Sequence, residues 1–282
     1  MTILEKSTNV QEFLKRPSSH VHDANPIDVH ALTVRFNGVI ALDNVTFALP
    51  AGMSAAVIGP NGAGKTTLFN VIAGTLAPSS GSVRIYGEQP RGHVCIAHVP
   101  QRSRVDWDFP ASVADVVMMG RVRKIGLFRW PSRADWQYVH KAMDRVGVCD
   151  LHDRKIGELS GGQQQRVFLA QALAQEAEIV MMDEPLTGLD LPSQEAIFNI
   201  LDDLKSTGTT VMVSTHDISM AAARFDHVLL LNHRLVASGP PEEALQTEML
   251  IKAFGGHVHR IPDEDGTFMV TDACCGGEED HA

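Results

Sequence analysis

The hydrophobic positions along the chain predict short strands separated by helices. Residues 27–34 alternate between apolar and polar side chains, as in a half-buried strand, and a turn at Asn37-Gly38 leads to a second strand around residues 45–49. Mostly apolar runs then occur at 55–58, 94–99, 179–182, 210–214 and 228–231. Such runs are typical of strands in a parallel sheet that is covered by helices on both faces.

Three segments between these strands carry apolar residues at helical spacing. They are Leu68, Val71 and Ile72, then Trp136, Val139, His140, Met143 and Val146, and finally Ile197, Ile200, Leu201 and Leu204. The second segment follows a capping sequence that begins at Ser132, and the third has Pro192 near its first turn. Alternating strands and helices predict an α/β fold over residues 27–260, with a flexible extension at 1–26 and a disordered tail at 261–282.

Charge and composition argue against several classes of protein. The chain has 24 Lys and Arg against 34 Asp and Glu, and a net charge of −10 argues against nucleic acid as a partner. Mean hydropathy is −0.04, and no run approaches the roughly 18 to 20 apolar residues of a membrane-spanning helix. Charged residues interrupt every apolar run near the N-terminus, so no secretory signal is expected. The four cysteines are interpreted as reduced thiols of a cytoplasmic protein.

A complete phosphate-binding motif follows the apolar run at 55–58. The candidate nucleotide-binding residues are Gly59, Pro60, Asn61, Gly62, Ala63, Gly64, Lys65, Thr66 and Thr67, of which the first eight satisfy G-x-x-x-x-G-K-[ST]. The glycines let backbone N–H groups converge on a phosphate, and the helix that follows adds the positive end of its dipole. Lys65 is predicted to neutralise the β- and γ-phosphates and Thr66 to bind Mg²⁺. The alternative is a glycine-rich turn without a ligand.

An acidic pair ends the apolar run at 179–182. Asp183 is placed to hold the hydration shell of Mg²⁺, and Glu184 is placed to polarise an attacking water molecule. The alternative is two solvated carboxylates in a loop. The complete phosphate-binding motif upstream favours the nucleotide-site interpretation.

Residues 159–166, Leu-Ser-Gly-Gly-Gln-Gln-Gln-Arg, narrow this prediction to one family. The segment resembles the signature of ATP-binding-cassette (ABC) ATPases, and Ser160 lies 95 residues after Lys65. The resemblance implies a P-loop NTPase fold with a helical subdomain inserted at about 101–160 and an antiparallel β subdomain. It also implies a head-to-tail pair of chains, with ATP held between Lys65 of one copy and the signature of the other. The signature residues concerned are Ser160, Gly161, Gly162 and Gln163.

Four further positions match the family one at a time. Phe36 lies where the family places an aromatic ring that stacks on adenine, although many members carry tyrosine there; the alternative is a core phenylalanine. Gln101 resembles the glutamine that senses the γ-phosphate and Mg²⁺, and the alternative is a solvated loop residue. His216 resembles the switch histidine that contacts the γ-phosphate. Asp190 matches the loop through which the subunits of this family communicate.

Residues 99–110 and 118–121 resemble the branch of the family that imports manganese, zinc or iron. The resemblance implies a motor subunit on the cytoplasmic face of the membrane, a separate multi-span permease and, indirectly, an extracytoplasmic metal-binding protein. Trp107 and Phe109 are interpreted as anchors for the permease, and the alternative is an ordinary loop. Manganese is favoured as the substrate over zinc and iron. A transporter for haem or a siderophore, and a soluble ABC ATPase without a permease, are the other possibilities.

Two further clusters, one of His and Cys residues and one of basic residues, consist of residue types that often have a function. His257, His259, Cys274, Cys275 and His281 match no standard metal-ligand spacing and are interpreted as incidental. Arg121, Arg123 and Arg129, with Lys124, are interpreted as a solvated or subunit-docking face, with proximity to lipid headgroups as the alternative.

Overall fold

The structure is a computed structural model that describes residues 24–90, 95–101, 107–126 and 129–255, together with two short strands near the C-terminus. The first residue of the run predicted at 94–99 lies outside the described residues, as do 102–106 in the loop before Trp107. The predicted extension, apart from residues 24–26, and nearly all of the predicted tail also lie outside them.

The described residues form eleven strands and nine α-helices. The strands are β1 Ile27–Phe36, β2 Val39–Leu49, β3 Ser54–Ile58, β4 Ser80–Arg84, β5 Ile96–Val99, β6 Ile179–Asp183, β7 Thr210–Thr215, β8 His227–Asn232, β9 Arg234–Gly239, β10 Val258–Arg260 and β11 Phe268–Val270. The helices are α1 Lys65–Ile72, α2 Val113–Met119, α3 Val122–Ile125, α4 Arg133–Arg145, α5 Gly161–Gln175, α6 Leu191–Ser206, α7 Ile218–Arg224, α8 Pro241–Ala244 and α9 Thr247–Phe254.

The main sheet has six strands in the order β5-β6-β7-β3-β8-β9. The first five are parallel, as their apolar runs predict, and β9 pairs with β8 in the antiparallel direction. Every residue of β3, β6 and β7 is buried, because one face packs against helices that include α5 and α6, and the other packs against α1 together with β1 and β2. The register pairs Asp183 with Ser214 and Ile58 with Thr215. The carboxyl ends of β3, β6 and β7 therefore meet at one edge of the sheet.

A second, antiparallel sheet has the order β2-β1-β4. The turn predicted at Asn37-Gly38 is confirmed: both residues have positive φ, and Phe36 pairs with Val39 across it. β4 carries a single buried side chain, Val83, so its sequence shows no strand pattern. This smaller sheet confirms the predicted antiparallel β subdomain.

The predicted helices at residues 68–72, 136–146 and 197–204 are confirmed, but one predicted face is wrong in part. In α4 the buried residues are Val139, Ala142 and Met143, whereas Trp136 and His140 lie at the surface. Trp136 and His140 stack instead with His152, whose ring centroid lies 5.4 Å from that of His140. Aromatic stacking at the surface replaces burial for these two residues.

None of the helices within the described ranges is long and apolar enough to cross a membrane.

Candidate functional site

The phosphate-binding motif forms a loop between β3 and α1. Gly64, at φ 98°, is the N-cap of α1, a conformation that favours glycine. A side chain at Gly59 would place its Cβ 2.0 Å from the carbonyl oxygen of Leu231, so only glycine fits there. Lys65 is buried, and its Nζ donates hydrogen bonds to the carbonyl oxygens of Gly59 at 2.6 Å and Pro60 at 3.1 Å. The lysine therefore lies along the loop on which a phosphate would rest.

Two segments outside the phosphate-binding motif hold this loop in place. The backbone N–H of His233, in the turn between β8 and β9, donates to the carbonyl oxygen of Ala63 at 2.9 Å. Its ring Nδ1 lies 3.2 Å from the carbonyl oxygen of Ala41 on β2, and that same oxygen is 2.6 Å from the position of a Cβ on Gly64. His233 also adopts a positive φ of 54°. Backbone contacts of this kind do not depend on a recognisable motif, which is why the sequence did not reveal them.

The ends of β6 and β7 bring the predicted magnesium residues together. The Thr66 hydroxyl donates to Oδ2 of Asp183 at 2.6 Å, and Ser214 donates a short hydrogen bond to Oδ1 of the same carboxylate. The backbone N–H of Glu184 donates to the Ser214 hydroxyl at 3.0 Å. A single hydroxyl, that of Ser214, therefore positions both acidic residues. Sequence reasoning missed Ser214, because its importance depends on β7 lying beside β6.

Glu184 has a strained backbone, and its side chain has a defined partner. Its φ is 49°, a left-handed conformation that is uncommon for residues other than glycine and that recurs at functional sites. Nε2 of Gln101, just beyond β5, donates to Oε2 of Glu184 at 2.9 Å. A cavity of about 180 Å³ lies beside Glu184 and is also lined by Thr215 and His216. This volume accommodates water next to the carboxylate.

The signature segment forms the start of α5. Ser160 is the N-cap, and its backbone N–H is bonded to Oε1 of Gln163 at 2.9 Å in a capping box. The side chain of Gln163 is thus part of the cap. A Cβ on Gly162 would lie 2.6 Å from the hydroxyl oxygen of Ser193, so glycine lets α5 approach the first turn of α6.

Asp190 is the N-cap of α6, and its carboxylate accepts from the backbone N–H of Ser193 at 3.2 Å. The hydrogen bonds from Ser193 lower the pKa of Asp190 below its usual range. Because Ser193 also lies against Gly162, Asp190 and the signature segment are held together through one residue. A second cavity, of about 410 Å³, is lined by Gly161 together with Gln101 and Glu184.

Phe36 lies at the end of β1, and 46% of its surface is exposed. The alternative of a core phenylalanine is therefore wrong. Val39, its partner across the turn, is 69% exposed, so the two side chains form an apolar rim on the smaller sheet.

The two predicted anchors for a permease differ in their surroundings. The ring of Trp107 is partly buried and packs edge to face against Phe168, with centroids 5.9 Å apart. Phe109 is 54% exposed. Trp107 therefore supports the helical region as well as lining the surface, and Phe109 is the residue available for contact.

The interpretation of Arg121 as part of a solvated basic face is wrong. Its side chain is buried and donates to Oε2 of Glu176 at 2.8 Å and to the carbonyl oxygen of Ala174 at 3.0 Å. The guanidinium also lies 4.1 Å from the ring centroid of Tyr138. Arg123, Lys124 and Arg129 remain at the surface, as predicted.

A strand, a glycine-rich loop and a helix, with a threonine hydroxyl bonded to an aspartate at the end of another parallel strand of the same sheet, define a P-loop nucleoside-triphosphate-binding protein. Comparison with known proteins identifies the family. The family model described as "ABC transporter" matches residues 42–187. This chain belongs to the ABC transporter family.

Related proteins and a solved structure agree with this assignment. The chain is 43% identical over 240 residues to the manganese transport system ATP-binding protein MntB of Bacillus subtilis, covering 85% of this chain and 96% of that protein. It is 43% identical over 236 residues to the zinc transport system ATP-binding protein TroB of Treponema pallidum, covering 83% and 89%. The ADP conformation of an ATP-binding cassette of an ABC transporter superposes with a TM-score of 0.73 at 25% identity, covering 82% of this chain and 99% of that chain.

Proposed function

We propose that this chain is the ATP-hydrolysing motor of an ABC importer for divalent metal ions, with manganese as the first candidate and zinc or iron as the next. The observation that best supports this proposal is a hydrogen-bonded cluster at the carboxyl edge of the parallel sheet. The cluster consists of Thr66, Asp183, Ser214 and Glu184. Relatives named for manganese and zinc transport support the choice of substrate.

The residues present fit a magnesium ion bound with ATP. Magnesium prefers hard oxygen ligands and is commonly held by one or two carboxylates together with substrate phosphates. Thr66 and Asp183 place a hydroxyl and a carboxylate 2.6 Å apart beside the phosphate loop. Within the described ranges no group of three or more His, Cys, Asp or Glu side chains is arranged to hold a metal. When bound, the ion supplies positive charge that stabilises the charge developing on the transferred phosphoryl group.

In the proposed reaction, water attacks the γ-phosphorus of ATP and the products are ADP and phosphate. Glu184 orients the water and accepts its proton, and Gln101 fixes the carboxylate through the 2.9 Å hydrogen bond to Oε2. Lys65 and the loop N–H groups bind the β- and γ-phosphates. His216 contacts the γ-phosphate from the end of β7, across the cavity that it shares with Glu184.

We further propose that two copies pair head to tail, so that the signature of one copy closes on the nucleotide of the other. The N-terminus of α5 offers backbone N–H groups and the positive end of a helix dipole, which together favour a phosphate. Asp190 couples the two nucleotide sites of the pair. The backbone N–H of Ser193 is bonded to Asp190, and its side chain lies against Gly162 in the signature segment.

Phe36 is proposed to stack on adenine. Replacing Phe36 by alanine is expected to raise the KM for ATP about 5- to 150-fold, by analogy with the roughly 1–3 kcal/mol of aromatic stacking on a nucleic acid base. Phe36→Tyr keeps the ring face and is expected to hydrolyse ATP normally. Steady-state ATPase kinetics of the three proteins measure the difference. An unchanged KM in Phe36→Ala would remove Phe36 from the nucleotide site.

The proposed partners are a multi-span permease and, through it, an extracytoplasmic metal-binding protein. The relatives are named as components of transport systems, which supports association with a membrane complex. Phe109 is the proposed contact with the permease, because its ring is exposed whereas that of Trp107 packs on Phe168. The proposed location is the cytoplasmic face of the membrane, where the chain acts as a peripheral subunit, and nucleic acid is not proposed as a partner.

Deleting the gene is expected to lower the manganese content of cells grown in limiting metal, because the permease loses its motor. Mass spectrometry of wild-type, deletion and complemented cells measures manganese, zinc and iron together. Complementation with Phe109→Ala is expected to restore less manganese than the wild-type gene, although the isolated variant still hydrolyses ATP. Unchanged contents of all three metals in the deletion strain, with failure of haem or siderophore uptake, would refute the metal assignment and leave the ATPase assignment standing.

A further inference from the structure

The segment from Met119 to Arg133 has a composition unlike the rest of the chain. It contains five cations, Arg121, Arg123, Lys124, Arg129 and Arg133, and no acidic residue, in a protein whose net charge is −10. It also carries Trp130, whose surface is 93% exposed, the highest value among the large hydrophobic residues that the structure describes. Cations and an exposed tryptophan within one short segment indicate an interaction surface.

Both ends of this segment are fixed by one carboxylate. Oδ1 of Asp135 accepts from Nε of Arg121 at 3.3 Å, at the start of the segment. Oδ2 of Asp135 accepts from the backbone N–H of Ser132 at 2.9 Å and from its hydroxyl at 2.6 Å, near the end. The hydrogen bonds from Ser132, with a smaller contribution from Arg121, lower the pKa of Asp135 below its usual range.

The base of the segment is fixed to α5. Arg121 and Lys124 both bond to the Glu176 carboxylate, at the end of that helix. Burial raises the pKa of Glu176, but the hydrogen bonds from Lys124 and Arg121 outweigh it, and the net pKa is lowered. Glu176 therefore binds Arg121 and Lys124, and the other cations of the segment, Arg123, Arg129 and Arg133, are exposed.

We propose that this surface, Arg123, Arg129, Trp130 and Arg133, binds the anionic headgroups of a lipid membrane. Tryptophan favours the interface between water and lipid, where its apolar ring and polar N–H are both accommodated. Lys and Arg side chains near an anionic membrane each contribute about 1 kcal/mol, which is about a fivefold change in binding. Val122, 47% exposed on α3, adds apolar area next to Arg123 in the chain.

The charge distribution favours lipid phosphate as the ligand. A segment with three exposed arginines, one exposed tryptophan and no acidic residue in its own sequence matches a layer of anionic headgroups. The inference rests on the proposed function only in placing the chain beside a membrane. The surface orients the motor against the bilayer independently of its contact with the permease.

Co-sedimentation of the full chain with vesicles tests the proposal without ATP or permease. Binding is expected to vesicles of phosphatidylcholine with phosphatidylglycerol, to weaken on vesicles of phosphatidylcholine alone, and to fall as salt is raised. Arg123→Gln with Arg129→Gln is expected to weaken binding to the anionic vesicles about 25-fold, at about fivefold for each cation. Lys252→Gln, which removes an exposed cation on α9, is the matched control and is expected to bind as the wild type does.

Trp130→Ser is expected to weaken binding to both kinds of vesicle, since the ring inserts whatever the headgroup charge. The ATPase rate and melting temperature of each variant are expected to match those of the wild type, because these side chains lie at the surface outside the nucleotide site. Absence of wild-type binding to anionic vesicles at low salt would overturn the proposal. Loss of permease copurification in the variants, without any vesicle binding by the wild type, would assign the surface to an acidic protein instead. Neither outcome bears on the metal-content experiment, which tests the proposed function separately.

Discussion

Glu184→Gln is expected to lower ATP turnover by about 10²- to 10⁴-fold while leaving ATP binding intact. The substituted amide keeps the shape of the carboxylate but cannot accept a proton from water. The contact between Glu184 and Ser214 does not require the carboxylate charge, because the backbone N–H of Glu184 makes it. ATP should therefore bind, remain unhydrolysed and trap the closed head-to-tail pair.

Single-turnover hydrolysis and equilibrium nucleotide binding measure these two effects separately, and size-exclusion chromatography with ATP measures pairing. Glu242→Gln, an exposed carboxylate on α8, is the control and should behave as the wild type does. Near-normal hydrolysis by Glu184→Gln would show that another group activates the water. Hydrolysis that is lost together with binding would show that the carboxylate shapes the site instead of acting in the chemical step.

Lys65→Met is expected to weaken ATP binding about 10- to 150-fold, from the roughly 1.5–3 kcal/mol of a hydrogen bond to a charged group. Methionine keeps the unbranched stem in its buried position but removes the ammonium group. The charge on the β- and γ-phosphates then loses its partner, and the carbonyl oxygens of Gly59 and Pro60 lose their donor. Binding and hydrolysis should fall together, in contrast to Glu184→Gln.

A titration with a fluorescent ATP analogue measures the affinity directly. Thermal unfolding without nucleotide checks that the variant is folded, and Lys252→Met supplies the control at an exposed lysine. An affinity equal to that of the wild type would show that the loop N–H groups hold the phosphates without the lysine.

The parallel sheet could be predicted from the sequence because its central strands are buried on both faces. β3, β6 and β7 consist of consecutive buried residues, and the sequence shows them as runs of mostly apolar side chains. β4 and β9 were not predicted. β4 buries only Val83, and β9 is largely half-exposed, so their pairing depends on the strands beside them. Strand propensity is weak where tertiary context determines the pairing.

The chemical groups of the site were predictable, but their supports were not. Lys65, Thr66, Asp183 and Glu184 belong to motifs whose spacing follows from a loop and two strand ends. Ser214 supports two of them only because β7 pairs with β6. No local pattern in the sequence encodes that neighbour.

Arg121 shows the same limit for charge patterns. Its closeness in sequence to Arg123, Lys124 and Arg129 predicts an exposed cation. Its carboxylate partners, Asp135 and Glu176, lie 14 and 55 residues further along the chain. Burial of a charge depends on such distant partners, so a local run of basic residues does not distinguish a structural arginine from an exposed one.

The position of β3 between β7 and β8 has a consequence for how the chain is made. β3 ends at Ile58, whereas β7 begins at Thr210 and β8 ends at Asn232, and both follow the segment matched by the family model. During translation, the strand that carries the phosphate loop therefore leaves the ribosome long before either neighbour exists. Such non-local pairing is slow, and unpaired strand edges are prone to aggregation. A fragment that ends after residue 187 would keep both edges of β3 unpaired, so the segment matched by the family model cannot complete the main sheet by itself.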